Sequence, residues 1–257
     1  MPKILLFIPF YNCEKQIPRV LAKVKDQLEY FQEVLIVDNQ SQDKGLEVTK
    51  DQIIKNNLSK MTLIQNCENV NLGGSHKVAF QYAVENNYDY VVVLHGDDQA
   101  DINDIIFLIQ NSEYMKYDCL LGARFHSAST LIGYSKFRTF GNIVLNFLCS
   151  IVCKRKIQDM GSGLNMYSKK FFDDSRILNF PNDLTFNVFL LFHSCWIKSS
   201  VRFFPLTWRE LDQVSNAKVF NQFFNIIKLI ASCFFNKTSL YKKYSQPKLN
   251  YDTIYKS

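Results

Sequence analysis

A chain of 257 residues with 47% apolar side chains, nine Gly and six Pro buries enough surface for one α/β domain, and it excludes disordered, collagen-like and linker-rich classes. Thirty Lys and Arg against 24 Asp and Glu leave a formal charge of +6, which suits anionic ligands such as nucleotide phosphates or phospholipid head groups without choosing between them. Seven cysteines form no CxxC pair, and the start MPKILLFIPFYNC lacks a signal-type organisation, so core thiols in a reducing cytosol are expected.

Lys3 to Pro9 (KILLFIP) is a continuous apolar run closed by Pro, and Glu33 to Asp38 (EVLIVD) is another that ends on a carboxylate. Met61 to Gln65, Tyr88 to Leu94 and the shorter Cys119 to Gly122 repeat the pattern. Such runs read as strands buried on both faces. Between them, residues Glu14 to Tyr30, Asp43 to Asn57, Ser75 to Asn86 and Ile102 to Gln110 read as helices. This alternation predicts a single α/β domain with a mostly parallel central sheet and helices on both faces. Ligands of such sheets bind beyond the carboxyl ends of the strands.

Past residue 125 the alternation weakens. Gly133 to Lys156 predicts a long helix with a basic end, Gly163 to Tyr167 a short strand, Asp183 to Cys195 a helix, Val201 to Trp208 a strand and Ala217 to Phe235 an amphipathic helix. The two apolar runs Ile143 to Cys153 and Phe223 to Phe235 fall short of the ~20 residues of a spanning helix. Both helices can either pack on the domain or lie in a membrane interface, the second with Lys218, Lys228 and Lys237 near anionic head groups. The expected domain covers residues 1–235, with a nucleotide-binding half to about 125 and an acceptor half beyond it. The polar tail 236–257 is expected to be disordered.

Four strand ends carry polar clusters: Phe10-Tyr11-Asn12, Asp38 to Ser41, Asn71 to Gly74 and His95 to Gln99. The most informative is VVVLHGDDQADINDI at 91–105, where an apolar strand delivers a Gly and two adjacent carboxylates to the ligand edge. Two such carboxylates repel unless a cation joins them, and oxygen ligands suit Mg²⁺ or Mn²⁺ bridging a diphosphate. Capping of the following helix is the competing role for Asp97 and Asp98.

These motifs, in this order, resemble the family 2 glycosyltransferases of the GT-A fold, and within them the dolichyl-phosphate mannose synthase group. PFYN with Glu14 resembles P-x-Y-N-E, VDNQSQD at 37–43 resembles V-D-D-x-S-x-D, and NLGGSHKVAFQYA at 71–83 resembles the N-x-G-x-x-x-A helix start. HGDDQ resembles D-A-D-x-Q, GARF at 122–125 resembles G-x-R, and DMGSGLNMY at 159–167 resembles D-x-x-S-G-F-R. The resemblance implies that Asp38 reads the nucleotide base, that Pro9, Tyr11, Asn12 and Glu14 shape the base and ribose pocket, and that Asn71, Gly73, Lys77, Asp97 and Asp98 bind the nucleotide sugar. It puts His95, Asp97 and Gln99 on the metal side, with Mg²⁺ or Mn²⁺ as cofactor. Arg124 is then a phosphate-binding catalytic residue, and Asp159 is the candidate general base. Arg138, Ser162, Gly163 and Arg209 fall on the acceptor side, and Asp212, Gln213 and Ser215 near the diphosphate. The sequence departs from the pattern at His95, which replaces an Asp, and at Asn165, which replaces an Arg.

The implied activity is inverting transfer of a sugar from a nucleotide-diphosphate sugar to a glycan or polyprenyl-phosphate acceptor in cell-envelope or surface glycan synthesis. A peripheral place on the cytoplasmic face of a membrane goes with it. The rival readings are a sugar-nucleotide pyrophosphorylase, disfavoured because PFYNCEKQ is no Gly-rich basic loop, and a non-catalytic nucleotide- or lipid-binding protein. Scattered basic residues argue against nucleic acid as a partner. The sequence leaves the oligomeric state open.

Overall fold

The computed structural model describes residues 2–212, 219–242, 244 and 249–257. The expected strands appear as β1 (Ile4–Phe10), β2 (Glu33–Asp38), β3 (Met61–Asn66), β4 (Tyr90–Leu94) and β5 (Cys119–Ala123). Between them run α1 (Ile17–Lys25), α2 (Gly45–Lys55), α3 (Asn71–Glu85) and α4 (Asn103–Gln110). The second half adds β6 (Thr130–Ile132), α5 (Lys136–Cys153), β7 (Leu164–Ser168), α6 (Lys169–Phe172), α7 (Phe186–Trp196), β8 (Val201–Pro205), β9 (Thr207–Arg209), α8 (Val219–Phe235) and β10 (Tyr251–Lys256).

The large sheet has the order β10-β3-β2-β1-β4-β7-β5-β8. Neighbouring side chains along a strand leave on opposite faces, so the continuous apolar runs supply two cores at once. Leu5, Phe7, Leu35 and Val37 meet α3, α5, α7 and α8 on one face, through residues such as Ala79, Cys149, Phe189 and Ile226. Leu6, Ile8, Val34 and Ile36 meet α1, α2 and α4 on the other, through Val20, Ile53 and Ile105. Each such side chain contributes roughly 1.5–3 kcal/mol on full burial.

Three features differ from expectation. β7 runs antiparallel between β4 and β5, so one strand of the acceptor half is inserted into the sheet while β8 is added at its edge. The tail is not wholly without structure, because β10 pairs antiparallel with β3 over Tyr251 to Lys256 and takes its place at the edge of the sheet. The run Val201 to Trp208 divides at Leu206, whose amide donates to Ser129 Oγ and whose carbonyl accepts from Thr130 N. β8 therefore stays in the large sheet, while β9 pairs with β6 in a separate two-stranded ribbon. Ala217 and Lys218, which were expected to begin the last helix, lie outside the described residues.

Glu33 ties β2 to its neighbours by accepting from Thr62 Oγ1 at 2.5 Å, from Tyr82 Oη at 2.7 Å and from Tyr88 Oη. Burial alone raises its carboxyl, but these hydroxyl donors more than offset that and hold it below its ordinary value near 4.5. A carboxyl lowered in the folded state contributes stability above its unfolded pKa, and that contribution is lost as pH falls through the folded value. Melting temperatures measured from pH 7 to 3 should therefore drop in the wild type at the acid end. In Glu33→Gln the protein should be less stable at pH 7 by about 1–3 kcal/mol, with a shallower acid drop.

Candidate active site

The parallel strands β1 to β4 deliver their carboxyl ends to one edge of the sheet, where the loops bound a cleft of about 810 Å³. Four turns there are reached through residues in the left-handed region: Asn12 (φ 54°), Gln40 (φ 60°), Asn71 (φ 58°) and Asp98 (φ 60°). Asn and Asp tolerate this conformation better than other non-glycine residues, which explains much of the polarity of the strand ends.

Pro9, Tyr11 and Asn12 line the cleft. The backbone of Asn12 donates to Ser41 Oγ at 3.0 Å, and its side-chain oxygen accepts from Gln42 N at 2.8 Å. Glu14 is turned away from the cleft. Its amide donates to Asp43 at 2.9 Å and its carboxylate accepts from Lys44 N at 3.3 Å, so it clamps the β1 loop to the β2 loop.

Asp38 is wholly buried, accepting from Ser41 N at 3.1 Å and from Gln65 Nε2 at 2.7 Å. It shapes the turn, and the next residue, Asn39, reaches the cleft wall instead. Asn39 accepts from Asn66 Nδ2 and Val70 N, each at 3.0 Å, and donates to Asn69 at 2.9 Å. Asn71 lines the cleft. Gly73 and Lys77 serve packing: Gly73 N donates to Asn182 O at 2.7 Å, and Lys77 Nζ donates to Asn182 Oδ1 at 2.6 Å and to the Phe180 carbonyl. Burial lowers the Lys77 amine to about 8.

At the end of β4, Asp97 and Gln99 line the cleft and Asp98 does not. Asp98 is held by Arg19 and Lys23 of α1, each at 2.6 Å. Both carboxylate oxygens are thus turned to α1 rather than to the cleft or a helix start. Asp97 accepts from Gln99 N at 3.1 Å, and burial pushes its carboxyl up to about 6, with the nearby Asp98 charge adding to the rise. His95 contributes to the wall, but its Nε2 is buried without a hydrogen-bond partner among the described residues. Burial holds the imidazole neutral by lowering it to about 4. Its ring lies edge-on to His76 at 5.9 Å and against Gly163, where an added Cβ would stand 3.1 Å from the ring. His95 thus stands on the same wall as Asp97 and Gln99.

The acceptor half rearranges several expected roles. Arg124 and Asp159 meet each other rather than the cleft: Nε to Oδ2 and Nη2 to Oδ1 are both 2.8 Å, the Arg124 amide adds a third bond at 2.9 Å, and Nη2 also reaches Gly161 O at 2.8 Å. Burial disfavours the guanidinium charge, but the Asp159 carboxylate more than offsets this and holds it above its ordinary value. Phe125 and Trp208 stack about the same group. Ser162 is buried with its hydroxyl on Leu164 O at 3.2 Å. Asn165 is buried too, accepting from Gly122 N and donating to the Ser162 carbonyl. Arg209 points to Asp101 at 2.9 Å, and Asp212 to Arg19 at 2.8 Å. Gln213 and Ser215 lie outside the described residues.

Arg138 does line the cleft, its Nη1 lying 2.7 and 2.9 Å from the two oxygens of Glu210, which also accepts from Gln99 Nε2 at 3.3 Å. Glu210 is absent from the sequence-based candidates. Its signal was its place beside Arg209 at the end of a short strand, where neighbouring residues leave on opposite sides. The turn that receives it needs Gly133 (φ +74°), because an added Cβ would stand 2.3 Å from the Glu210 carbonyl oxygen.

The cleft wall thus combines Asn12, Asn39, Asn69, Asn71 and Gln99 with the carboxylates Asp97 and Glu210 and the cation Arg138. Amides suit the hydroxyls of a ribose and the edges of a base, and carboxylates suit a hard cation. Among the described residues no three His, Cys, Asp or Glu side chains converge as a metal cage. Asp97 is the cleft carboxylate whose oxygen chemistry fits Mg²⁺ or Mn²⁺, ions that commonly use few protein ligands.

Several known proteins resemble this chain in sequence or in structure. UDP-N-acetylglucosamine--dolichyl-phosphate N-acetylglucosaminyltransferase of Methanococcus voltae is 26% identical over 176 residues, covering 65% of this chain and 69% of that protein. The crystal structure of S. aureus TarS 1-349 superposes with a TM-score of 0.60 at 18% identity, over 91% of this chain and 66% of that one, just under two thirds of its length. Glucosyl-3-phosphoglycerate synthase from Mycobacterium tuberculosis in complex with UDP gives 0.64 at 13% identity, over 91% and 80%. The same enzyme with Mn²⁺, UDP-glucose and phosphoglyceric acid gives 0.64 at 11% identity, over 90% and 80%. The likenesses to the solved structures establish the GT-A fold. The model of glycosyl transferase family 2 matches residues 6–176, well over half of the sequence, and the chain belongs to that family.

Proposed function

We propose that this protein transfers a sugar, with inversion, from a nucleotide-diphosphate sugar to a glycan hydroxyl or to a polyprenyl phosphate presented at a membrane. The observation that carries this reading is the Asp97 carboxylate in an amide-lined cleft of about 810 Å³ beyond the carboxyl ends of parallel strands. A UDP-sugar is the favoured donor, since the Methanococcus relative is named for one and the TarS and synthase structures include UDP-GlcNAc and UDP-glucose complexes.

Asp97 is the residue that would hold a divalent ion. Such an ion, when bound, neutralises charge on the departing diphosphate. Tyr11, Asn12, Asn69 and Asn71 place the nucleoside by hydrogen bonds, and the Asn39 network keeps these loops in register. Arg138 and Glu210 serve the acceptor. A hydroxyl acceptor loses its proton to Glu210, the cleft carboxylate that Arg138 and Gln99 orient. A phosphate acceptor is already anionic, and Arg138 attracts it once released from Glu210. The Arg124–Asp159 pair positions the wall instead of reacting.

A thermal-shift panel of UDP-, GDP-, CMP- and dTDP-sugars, with and without Mn²⁺, tests the donor half. Stabilisation by UDP-sugars that grows with Mn²⁺ is expected, worth about 2.7 kcal/mol at a ligand concentration a hundredfold above Kd. No response to any of the four would sink the reading.

A further inference from the structure

Helix α5 is apolar on two opposite sides. Leu145, Cys149 and Val152 face the core, as an amphipathic helix requires. On the other side, Phe137, Phe140, Val144, Phe147 and Ile151 follow one another at spacings of three and four, and all are exposed, Phe137 to 80%, Phe140 to 67% and Phe147 to 65%. Residues so spaced share one stripe of a helix. Helix α8 packs beside α5 and repeats the arrangement, burying Ile226, Leu229, Ile230 and Cys233 while exposing Phe223, Phe224, Phe234 and Phe235, the last to 85%. Scattered single apolar residues on a surface need no explanation, but aligned phenylalanines on two adjoining helices do.

Charge distinguishes what covers them. Residues 119–158, which include α5, contain six Lys and Arg and no Asp or Glu. Residues 213–251, which include α8, also contain six and none. The rest of the chain therefore holds 18 basic residues against 24 acidic ones, so the net positive charge resides wholly in the two segments that carry α5 and α8. Lys136 and Lys154 flank the α5 stripe, with Lys156 just beyond, while Lys228 and Lys237 accompany α8, and all five are exposed. A second copy of this face would bring like charges together, and an ordinary apolar partner helix would not call for the exclusion of every carboxylate. Aromatic and aliphatic side chains flanked by exposed lysines, on segments that themselves carry no carboxylate, fit the interface of a bilayer with anionic head groups.

We infer that α5 and α8 form a membrane-docking face that seats in the head-group region of anionic phospholipid bilayers. No helix among the described residues is long and apolar enough to cross a membrane, so the attachment lies in the interface plane. Arg138 belongs to the first turns of α5 and lines the cleft between the exposed Phe137 and Phe140 in sequence. Docking by α5 therefore brings the mouth of the cleft to the bilayer surface, where a lipid-linked acceptor would arrive. The docking face stands on the surface pattern alone and does not require the proposed donor or acceptor.

Flotation of the full chain with vesicles of phosphatidylcholine alone, or of phosphatidylcholine with phosphatidylglycerol, tests it. Wild type should float with the anionic vesicles and at least tenfold less with the neutral ones, and high salt should weaken binding. Phe137→Ser/Phe140→Ser/Phe147→Ser should lower partitioning about tenfold or more while its melting temperature, and any donor-induced shift, stay at the wild-type values. Lys154→Gln/Lys156→Gln should lower it several-fold on anionic vesicles only. Wild type that stays with the buffer fraction, or a triple variant that floats as well as wild type, overturns the proposal. So does a wild-type dimer that the triple variant dissolves, which would assign the face to a second copy. Failure of donor binding with vesicle binding intact would count against the transferase reading alone.

Discussion

Replacing Asp97 by Asn is expected to lower kcat/KM for sugar transfer by about a thousandfold, the loss that follows removal of a principal charge-stabilising group from a transfer site. The amide is nearly isosteric and can still accept from Gln99 N, which Asp97 holds at 3.1 Å, so the loop should keep its course and the melting temperature should change little. What disappears is the charge available to a divalent ion. Donor-induced stabilisation should then become insensitive to Mn²⁺, and this is measured on the same protein as the rate. Asp98→Asn supplies the contrast. It removes the negative charge that faces Arg19 and Lys23 on α1 and should cost stability by about 1–3 kcal/mol while leaving transfer within a few-fold of wild type. Near-wild-type, Mn²⁺-dependent transfer in Asp97→Asn would falsify the assignment of the site.

Arg124→Ala is expected to destabilise the protein by about 3–5 kcal/mol, because it strands the carboxylate of Asp159, whose side chain is 0% exposed and which now receives both forks of the guanidinium. For a chain of this size the melting temperature should fall by roughly 10 °C. Asp159→Ala should behave similarly, leaving the cation buried. Replacing both at once, as Arg124→Met with Asp159→Leu, should recover most of the loss, since apolar groups of like volume need no partner. The two single losses should therefore be strongly non-additive, which urea denaturation of the four proteins would reveal. If Asp159→Asn instead kept full stability but lost transfer a thousandfold, Asp159 would be the proton acceptor and Glu210 would not.

The two carboxylates of the strand β4 end illustrate how far local information reaches. An apolar strand followed by His-Gly-Asp-Asp-Gln identifies a ligand-edge loop, and Asp97 does face the cleft. Its neighbour has the same chemistry and the same local context, yet it is taken by two cations that lie 79 and 75 residues earlier in the chain. Asp38 and Asn39 form the same kind of pair. Their order along the turn is plain from the sequence, but Gln65, 27 residues away, helps to draw Asp38 inward and leave Asn39 on the wall.

What the sequence determined by itself is the alternation of buried strands and helices, the edge on which ligands bind and the polar turns there, because side-chain periodicity and left-handed turn preferences act over a few residues. It also carried the family resemblance, which depends on the order of short motifs. Only the tertiary structure decided the antiparallel β7 and the edge strand β10, the withdrawal of Arg124 and Asp159 into each other, and the meeting of Glu210 with Arg138 across 72 residues. The physical reason is the same in each case. A charged or hydrogen-bonding group folds toward whatever partner best offsets its lost hydration, and that partner is set by the packing of distant elements.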